Sequence, residues 1–406
     1  MTSGTRVSTP AASRARHPSS RSAPKRRAKT SIPRPTNGTF VALLALVVVL
    51  NVIGVVMVLS ASSVAALRDY GSSWVIFEKQ LMWVLAGSAA LFVGSRTDYR
   101  RWRKFALPLI VVSVALLLLV LVPGVGINVY GSSRWLGAGS FRMQPSELAK
   151  LAILLFSADL LAKRSNRMGD TRSTLRPVLA VFGVLAVLIM KQPDMGTTMA
   201  LACIVLAILF VAGTPLPSLA KVAAFGLTAA VVLARLEPYR WARIVSFRKP
   251  FADASNTGYQ LAQSLVGLGS GHIFGVGLGA SRAKWGYLPH AHTDFIFAVI
   301  GDELGLIGTI LVVSLFVAFA FLGVRTAVRA PDRFGMLVAT GVTASICGQA
   351  FINIGAVIGI LPVTGVPLPF VSFGGSSLVI AMAATGLLLS VARQGRVASA
   401  TSSRAG

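Results

Sequence analysis

Apolar stretches of membrane-spanning length recur along almost the whole chain, and no other feature restricts the fold so far. They lie at roughly 40–60, 75–95, 105–122, 145–162, 176–191, 195–212, 217–234, 294–322, 334–358 and 375–392. A helix crosses the hydrocarbon layer with about 20 residues, since each adds ~1.5 Å. Composition agrees. With 54% hydrophobic residues, 13% charged and a mean hydropathy of +0.72, 406 residues have too little polar surface for a soluble protein. The prediction is an all-α integral membrane protein of about ten transmembrane helices. The two short segments around Gln192-Pro193 would also suit a re-entrant hairpin.

Lys and Arg number 39 against 13 acids, a net charge of +26. In a soluble protein that balance would suggest nucleic acid. Here its distribution reports topology instead, and nucleic acid is not an expected partner. With the N-terminus inside, the inner segments are 1–39, 96–104, 163–176, Lys221, 325–333 and the C-terminal tail, and they hold most of the basic residues. Cytoplasmic segments retain positive charge, so both termini are predicted to be cytoplasmic. Residues 1–39 contain nine Lys and Arg, no acid, and frequent Pro, Ser and Thr. They read as a disordered basic cytoplasmic tail, not a cleaved signal, because a full apolar span follows. The transmembrane domain is expected over 40–393, with a short cytoplasmic tail at 394–406. Cys203 and Cys347 lie in apolar segments and read as small hydrophobes without a disulfide.

One outer segment departs from the charge pattern. A large extracytoplasmic loop, 235–293, joins helices seven and eight and carries Arg235, Arg240, Arg243, Arg248, Lys249, Arg282 and Lys284 against Glu237 and Asp253. It includes helix-like and Gly-rich sequence over 258–279. Long loops translocate regardless of charge. The basic residues are therefore either incidental or a means of attracting an anionic substrate from the outer leaflet.

Most helices that enter from outside begin with polar, turn-forming sequence. The fourth starts at Gln144-Pro145-Ser146-Glu147 and the sixth at Gln192-Pro193-Asp194. The eighth follows His290-Ala291-His292-Thr293-Asp294, and the tenth follows Pro369-Phe370-Val371-Ser372-Phe373-Gly374-Gly375-Ser376. Such starts are ordinary helix initiation. Gathered at one face, the same positive helix ends would favour a phosphate. Lys150 lies one and a half turns inside the fourth helix with Glu147 on the same face, and Arg142 lies just outside it. An intramembrane Lys–Glu pair serves either folding alone or a polar site. Asp294 at the start of the eighth helix is either a cap or a chemical group. Asp302 and Glu303 lie deeper and more often support packing. No Cys/His cluster, phosphate loop or HExxH motif is present, which argues against a zinc enzyme or a nucleotide-driven pump.

At these residues the chain resembles a known family. Gly131-Ser132-Ser133-Arg134-Trp135-Leu136 with Gln144-Pro145-Ser146-Glu147-Leu148-Ala149-Lys150 looks like the outer loop and fourth helix of the SEDS (shape, elongation, division and sporulation) proteins. Lys191-Gln192-Pro193-Asp194-Met195-Gly196-Thr197 and the blocks 292–305, 353–359 and 361–377 follow in the expected order, so the likeness covers 40–393. Within the family, Val58-Leu59-Ser60-Ala61-Ser62-Ser63 and Val299-Ile300-Gly301-Asp302-Glu303-Leu304 look more like the division member than the elongation member. Asp302 stands where Glu is commoner, and Phe373 where Tyr is usual.

The resemblance implies a peptidoglycan glycosyltransferase acting on the outer face of the cytoplasmic membrane, at the division septum. Its substrate would be lipid II, a disaccharide peptide on undecaprenyl pyrophosphate. Its partners would be a class B penicillin-binding transpeptidase and other divisome membrane proteins. The implied catalytic residue is Asp294, and the implied substrate-binding residues are Arg142, Glu147, Lys150, Asp194, His292, Thr293, Ser372 and Ser376. Asp294 is expected to face a cavity lined by the fourth helix and the loop before the tenth. No cofactor is called for, although a divalent cation on the pyrophosphate is compatible with these residues. The chemistry is consistent: a carboxylate takes the proton of an attacking sugar hydroxyl, while cations and helix ends stabilise the departing pyrophosphate. A lipid II flippase, a non-catalytic scaffold for the transpeptidase and an elongation-type role are the competing readings.

Overall fold

All ten apolar stretches are helical in the computed structural model, which describes residues 1, 2, 4, 5, 37–129, 132–138, 141–254, 256 and 258–395. Chain contacts set Met1–Arg34 apart from Pro35–Gly406, and the helices all belong to the second unit. The tails expected over 1–39 and 394–406 fall almost wholly outside the described residues. In chain order the helices are α1 (Asn37–Tyr70), α2 (Val75–Arg96), α3 (Ala106–Leu121), α4 (Pro145–Lys163), α5 (Leu175–Met190), α6 (Met195–Ala212), α7 (Leu216–Leu236), α8 (Pro238–Ser246), α9 (Tyr259–Ser270), α10 (Ile296–Val328), α11 (Arg333–Val357) and α12 (Gly375–Gln394). Of these, α8 and α9 are short and belong to the long 235–293 loop.

Among the described residues, eight helices are long and apolar enough to cross a membrane. The two other predicted spans differ for separate reasons. Helix α5 is apolar but has only 16 residues. Helix α4 carries Glu147, Lys150, Asp159 and Lys163 and is buried on nearly every side. Charged side chains at such depth persist only where they pair inside protein. They do so here, which is why a helix of modest hydropathy occupies the centre of the bundle. Around it, α12 lies along α2, and α11 packs on α6, α10 and α4. At the edge, the apolar window of α7 has no buried residue at all.

The all-α class holds, with one small addition that the sequence did not announce. Between α3 and α4, β1 (Ile127–Val129), β2 (Ser132–Ala138) and β3 (Phe141–Met143) form an antiparallel sheet in the order β1-β2-β3. Its register pairs Ile127 with Trp135 and Leu136 with Met143. Strands this short leave little periodic signature in sequence.

Helix α10 is interrupted. Gly305 has φ 66° and ψ −162°, outside helical values. The break removes the ordinary bonds from Leu306 N–H to Asp302 C=O and from Ile307 N–H to Glu303 C=O. The 271–279 segment fills all four vacancies. Val276 N–H donates to Asp302 O at 2.9 Å and Gly277 N–H to Glu303 O at 3.1 Å. Leu306 N–H donates to His272 O at 2.9 Å and Ile307 N–H to Ile273 O at 3.3 Å. The side chains beside the break hold neighbouring elements, as expected for packing groups. Ser60 of α1 donates to Glu303 at 2.7 Å, and Ser270 of α9 donates to Asp302 at 2.6 Å.

One end of the bundle is closed by charge. Asp332 caps α11 by accepting from Gly335 N–H at 2.8 Å, and also accepts from Tyr99 Oη at 2.8 Å and Arg100 Nε at 2.7 Å. Burial pushes its carboxyl upward, but these three bonds outweigh it and hold Asp332 below the usual carboxylate range. Asp159 of α4 accepts from Arg103 Nε at 2.7 Å and from Lys163 Nζ at 2.6 Å. The Arg103 guanidinium also lies 5.0 Å over the Phe334 ring.

Candidate functional site

Asp294 lies at the other end, in the turn that leads into α10. The helix begins two residues later with Phe295 at its N-cap position, so Asp294 does not start the helix as the sequence suggested. The turn is held through its backbone. Asn353 Nδ2 of α11 donates to Asp294 O at 2.7 Å and to Val366 O at 2.7 Å. Ser372 Oγ donates to Thr293 O at 2.5 Å and accepts from Leu368 N–H at 2.8 Å. Phe373 N–H donates to His292 O at 3.0 Å, and the two rings sit 5.8 Å apart. His292, Thr293, Asp294 and Ser372 are thus brought together as expected.

His292 is mostly enclosed. Burial, followed by the charge of His290, pushes its pKa down to about 4, with Asp69 opposing. The ring is therefore neutral across the physiological range.

The partly exposed Asp294 lines a small, open cleft with Phe295, Asn353, Ala356, Val357 and the 363–366 loop. A Cβ on Gly365 would sit 3.5 Å from Asp294 Oδ2, which places the carboxylate against that loop. The cleft is not lined by α4, contrary to the sequence expectation. Glu147 and Lys150 line a second small cleft with Ser345, Gln349, Ile380 and Ala384 of α11 and α12. Lys150 Nζ lies 2.8 Å from Glu147 Oε2 and donates to Gln349 Oε1 at 2.5 Å. All three side chains are buried.

Helix α11 separates the two clefts and also links them. Gln349 and Asn353 stand one turn apart, about 6 Å along the axis. Gln349 Nε2 donates to Pro367 O at 2.8 Å, and Asn353 holds the adjacent Val366 O. Both amides therefore grip the same loop, one from the Lys150 side and one from the Asp294 side. Neither was singled out as a site residue from the sequence. The available signal was a pair of amides spaced i, i+4 in an otherwise apolar span.

The remaining candidates form a third group. Asp194 caps α6, accepting from Thr197 N–H at 2.9 Å and Thr197 Oγ1 at 2.7 Å, and it receives Gln144 Nε2 at 3.0 Å. It is buried, so its geometry is that of a structural cap. Ser376 Oγ accepts from Gln144 N–H at 3.2 Å and thereby joins α12 to the start of α4. Arg142 is exposed on β3. In the long loop Arg248, Lys249 and Arg282 are exposed. Arg235 instead stacks over Trp241 at 4.7 Å, and Lys284 donates to Gly279 O. Among the described residues no three of His, Cys, Asp and Glu are gathered to hold a metal.

The family profile of FtsW, RodA and SpoVE, described as a cell cycle protein, matches residues 41–397. The chain belongs to the FtsW/RodA/SpoVE family. A relative in Geobacter metallireducens named probable peptidoglycan glycosyltransferase FtsW is 39% identical over 86% of this chain and 93% of its own length. Stage V sporulation protein E of Bacillus subtilis is 41% identical over 87% of this chain and 97% of its own. Thermus thermophilus RodA superposes with a TM-score of 0.63 at 29% identity, covering 88% of this chain and 97% of that one. A chain from a structure titled for the coordination of polymerization and crosslinking by a peptidoglycan synthase complex gives 0.71 at 29% identity, over 86% and 96%. The protein is accordingly a multi-pass membrane protein with the fold of the FtsW/RodA/SpoVE family.

Proposed function

We propose that this chain, a peptidoglycan glycosyltransferase by family, polymerises lipid II into glycan strands on the outer face of the cytoplasmic membrane. The observation that carries the reading is Asp294, a carboxylate at the edge of a cleft whose backbone is fixed by Asn353, Ser372 and Phe373. Asp294 takes the proton of the acceptor sugar hydroxyl as that oxygen attacks the anomeric carbon of the donor. The undecaprenyl pyrophosphate leaves as a stable anion, so no general acid is required, and an α-linked donor gives a β-linked product. Arg142 and the exposed basic residues of the 235–293 loop draw in the pyrophosphate, and a divalent cation could share its charge. Lys150, lying in the second cleft, acts through Gln349 on the 363–367 loop that lies against Asp294. His292, Thr293 and Ser372 set the turn that carries Asp294, Glu147 holds Lys150, and Asp194 and Ser376 hold Gln144 at the start of α4.

Septal synthesis in cell division is preferred to elongation, on the division-like sequence at 58–63 and 299–304 and on the relatives that bear the name FtsW. The partner is a class B penicillin-binding transpeptidase, in keeping with the polymerization and crosslinking pairing named for one structural neighbour. Other divisome membrane proteins would join them. The rival flippase reading draws on the buried Glu147–Lys150–Gln349 chain, which resembles a polar path through a bundle.

Purified protein with its transpeptidase and labelled lipid II tests the proposal. Asp294→Asn and Asp294→Ala should both abolish polymer while leaving the protein folded, because neither side chain accepts the proton. Substantial polymer from folded Asp294→Asn would remove Asp294 as the base. Normal lipid II translocation into intact vesicles by wild type, lost in Lys150→Ala, would favour the flippase.

A further inference from the structure

The 271–279 segment does more than bridge the break in α10. Part of its backbone is bonded to α10 and within its own turns: besides the four bonds across the break, Gly275 N–H donates to Gly271 O at 2.7 Å and Ala280 N–H to Gly277 O at 3.1 Å. The approach is close. A Cβ at Gly271 or Gly275 would collide with the carbonyl oxygens of Gly301 or Glu303. While the backbone turns inward, the side chains turn out. Phe274 is 80% exposed and Leu278 61%, and Ile273 and Val276 are exposed beside them.

In water these four side chains would form a costly apolar patch on an otherwise basic loop. They adjoin another apolar surface. Leu306 and Ile307, bonded directly to the segment's backbone, are exposed, and so are Ile310 and Leu311 on the following turns of a spanning helix. Depth agrees with this continuity. From Arg325, the basic residue in the last turn of α10, back to Gly305 is about 20 residues, or ~30 Å of helix, which is the thickness of the hydrocarbon layer. The segment therefore meets α10 at the boundary of the acyl layer on the Asp294 side. Irregular backbone is tolerated at that depth where protein supplies hydrogen bonds, and α10 supplies four of them, at His272, Ile273, Val276 and Gly277.

We infer that residues 271–279 form a membrane-dipping anchor whose exposed face, Ile273, Phe274, Val276 and Leu278, is covered by the acyl chains of the leaflet on the Asp294 side. The partner is the lipid layer itself, and the inference does not depend on the proposed chemistry. The anchor fixes the long loop at a set depth on the Asp294 side of the bundle.

Spin labelling of the full chain in lipid nanodiscs tests it. In a Cys203→Ala, Cys347→Ala background, single cysteines are placed by Phe274→Cys and by Leu278→Cys. Asn256→Cys, on the exposed part of the same loop, serves as the aqueous control, and Phe321→Cys, exposed along α10, as the lipid control. Each label is read for collision with oxygen and with a water-soluble nickel chelate. Positions 274 and 278 should match 321, reached by oxygen and losing access to nickel. Nickel access equal to that at 256 overturns the anchor. Exclusion of both reagents also overturns it, because protein and not lipid would then cover the face. If Phe274→Cys fails to fold, Leu278→Cys decides alone.

Discussion

The two ends of the bundle are closed by different chemistry. At the Arg100 end, Asp159 and Asp332 each receive two basic or hydroxyl side chains, and charge meets charge. At the Asp294 end, neutral amides and hydroxyls hold backbone carbonyls: Asn353 on 294 and 366, Gln349 on 367, Ser372 on 293. An ion-pair clamp consumes the carboxylates it uses. A neutral clamp fixes a turn by its backbone and leaves the choice of side-chain partner to other groups. The first arrangement suits a closure, and the second suits a site.

Substitutions can break this contrast, and beyond the loss of activity expected for Asp294→Asn the largest effect should come from Lys150. Lys150→Met leaves Glu147 charged and buried, which typically costs about 3–5 kcal/mol. The double variant Glu147→Gln with Lys150→Met should recover most of that stability by thermal unfolding in detergent. If it also recovers full polymerisation, the charge is structural only. Next in size is Asp332→Ala, which removes a cap and two further bonds. It should lower stability by about 1–2 kcal/mol while polymer yield per folded molecule stays normal. A proportionate loss of turnover would show that the two ends are not separable.

A smaller effect concerns pH. The folded pKa of His292 is about 4, below the unfolded value near 6.5. Between those values the unfolded chain binds more protons, so stability falls as pH drops from about 6.5 towards 4. His292→Gln should flatten that part of the stability curve, and an unchanged slope would mean that the ring is better solvated than its enclosure implies. The smallest effect is expected at the tail. Deleting 2–35 should leave polymerisation by purified protein near wild type, and clear loss of activity would show that the tail acts on the membrane domain.

Most of the spanning helices were legible because apolar length encodes them: α2, α6 and α12 fall within two residues of the stretches read from sequence, whereas α1 and α10 run ten and six residues past theirs. What was not legible depends on distance between remote residues. Gly305 inside an apolar run reads as continuous helix until the 271–279 segment is seen beside it. Asp294, Glu147 and Lys150 were each identifiable as unusual residues for their positions. Their division between two clefts, with α11 between them, is a matter of packing that one sequence does not carry. Asp194 was legible as a helix start from Thr197 three residues on, but the bond from remote Gln144 was not, because only the fold brings it there.

The break in α10 also imposes an order on biosynthesis. The segment that completes the broken ladder leaves the ribosome about 30 residues before the helix that needs it, since chains emerge N-terminus first. When α10 passes from the translocon into lipid, the donors and acceptors for its four open groups have already been made. A permuted chain carrying 258–279 behind α10 would have to commit that helix to lipid with those groups bare, against the strongest rule that the bilayer imposes.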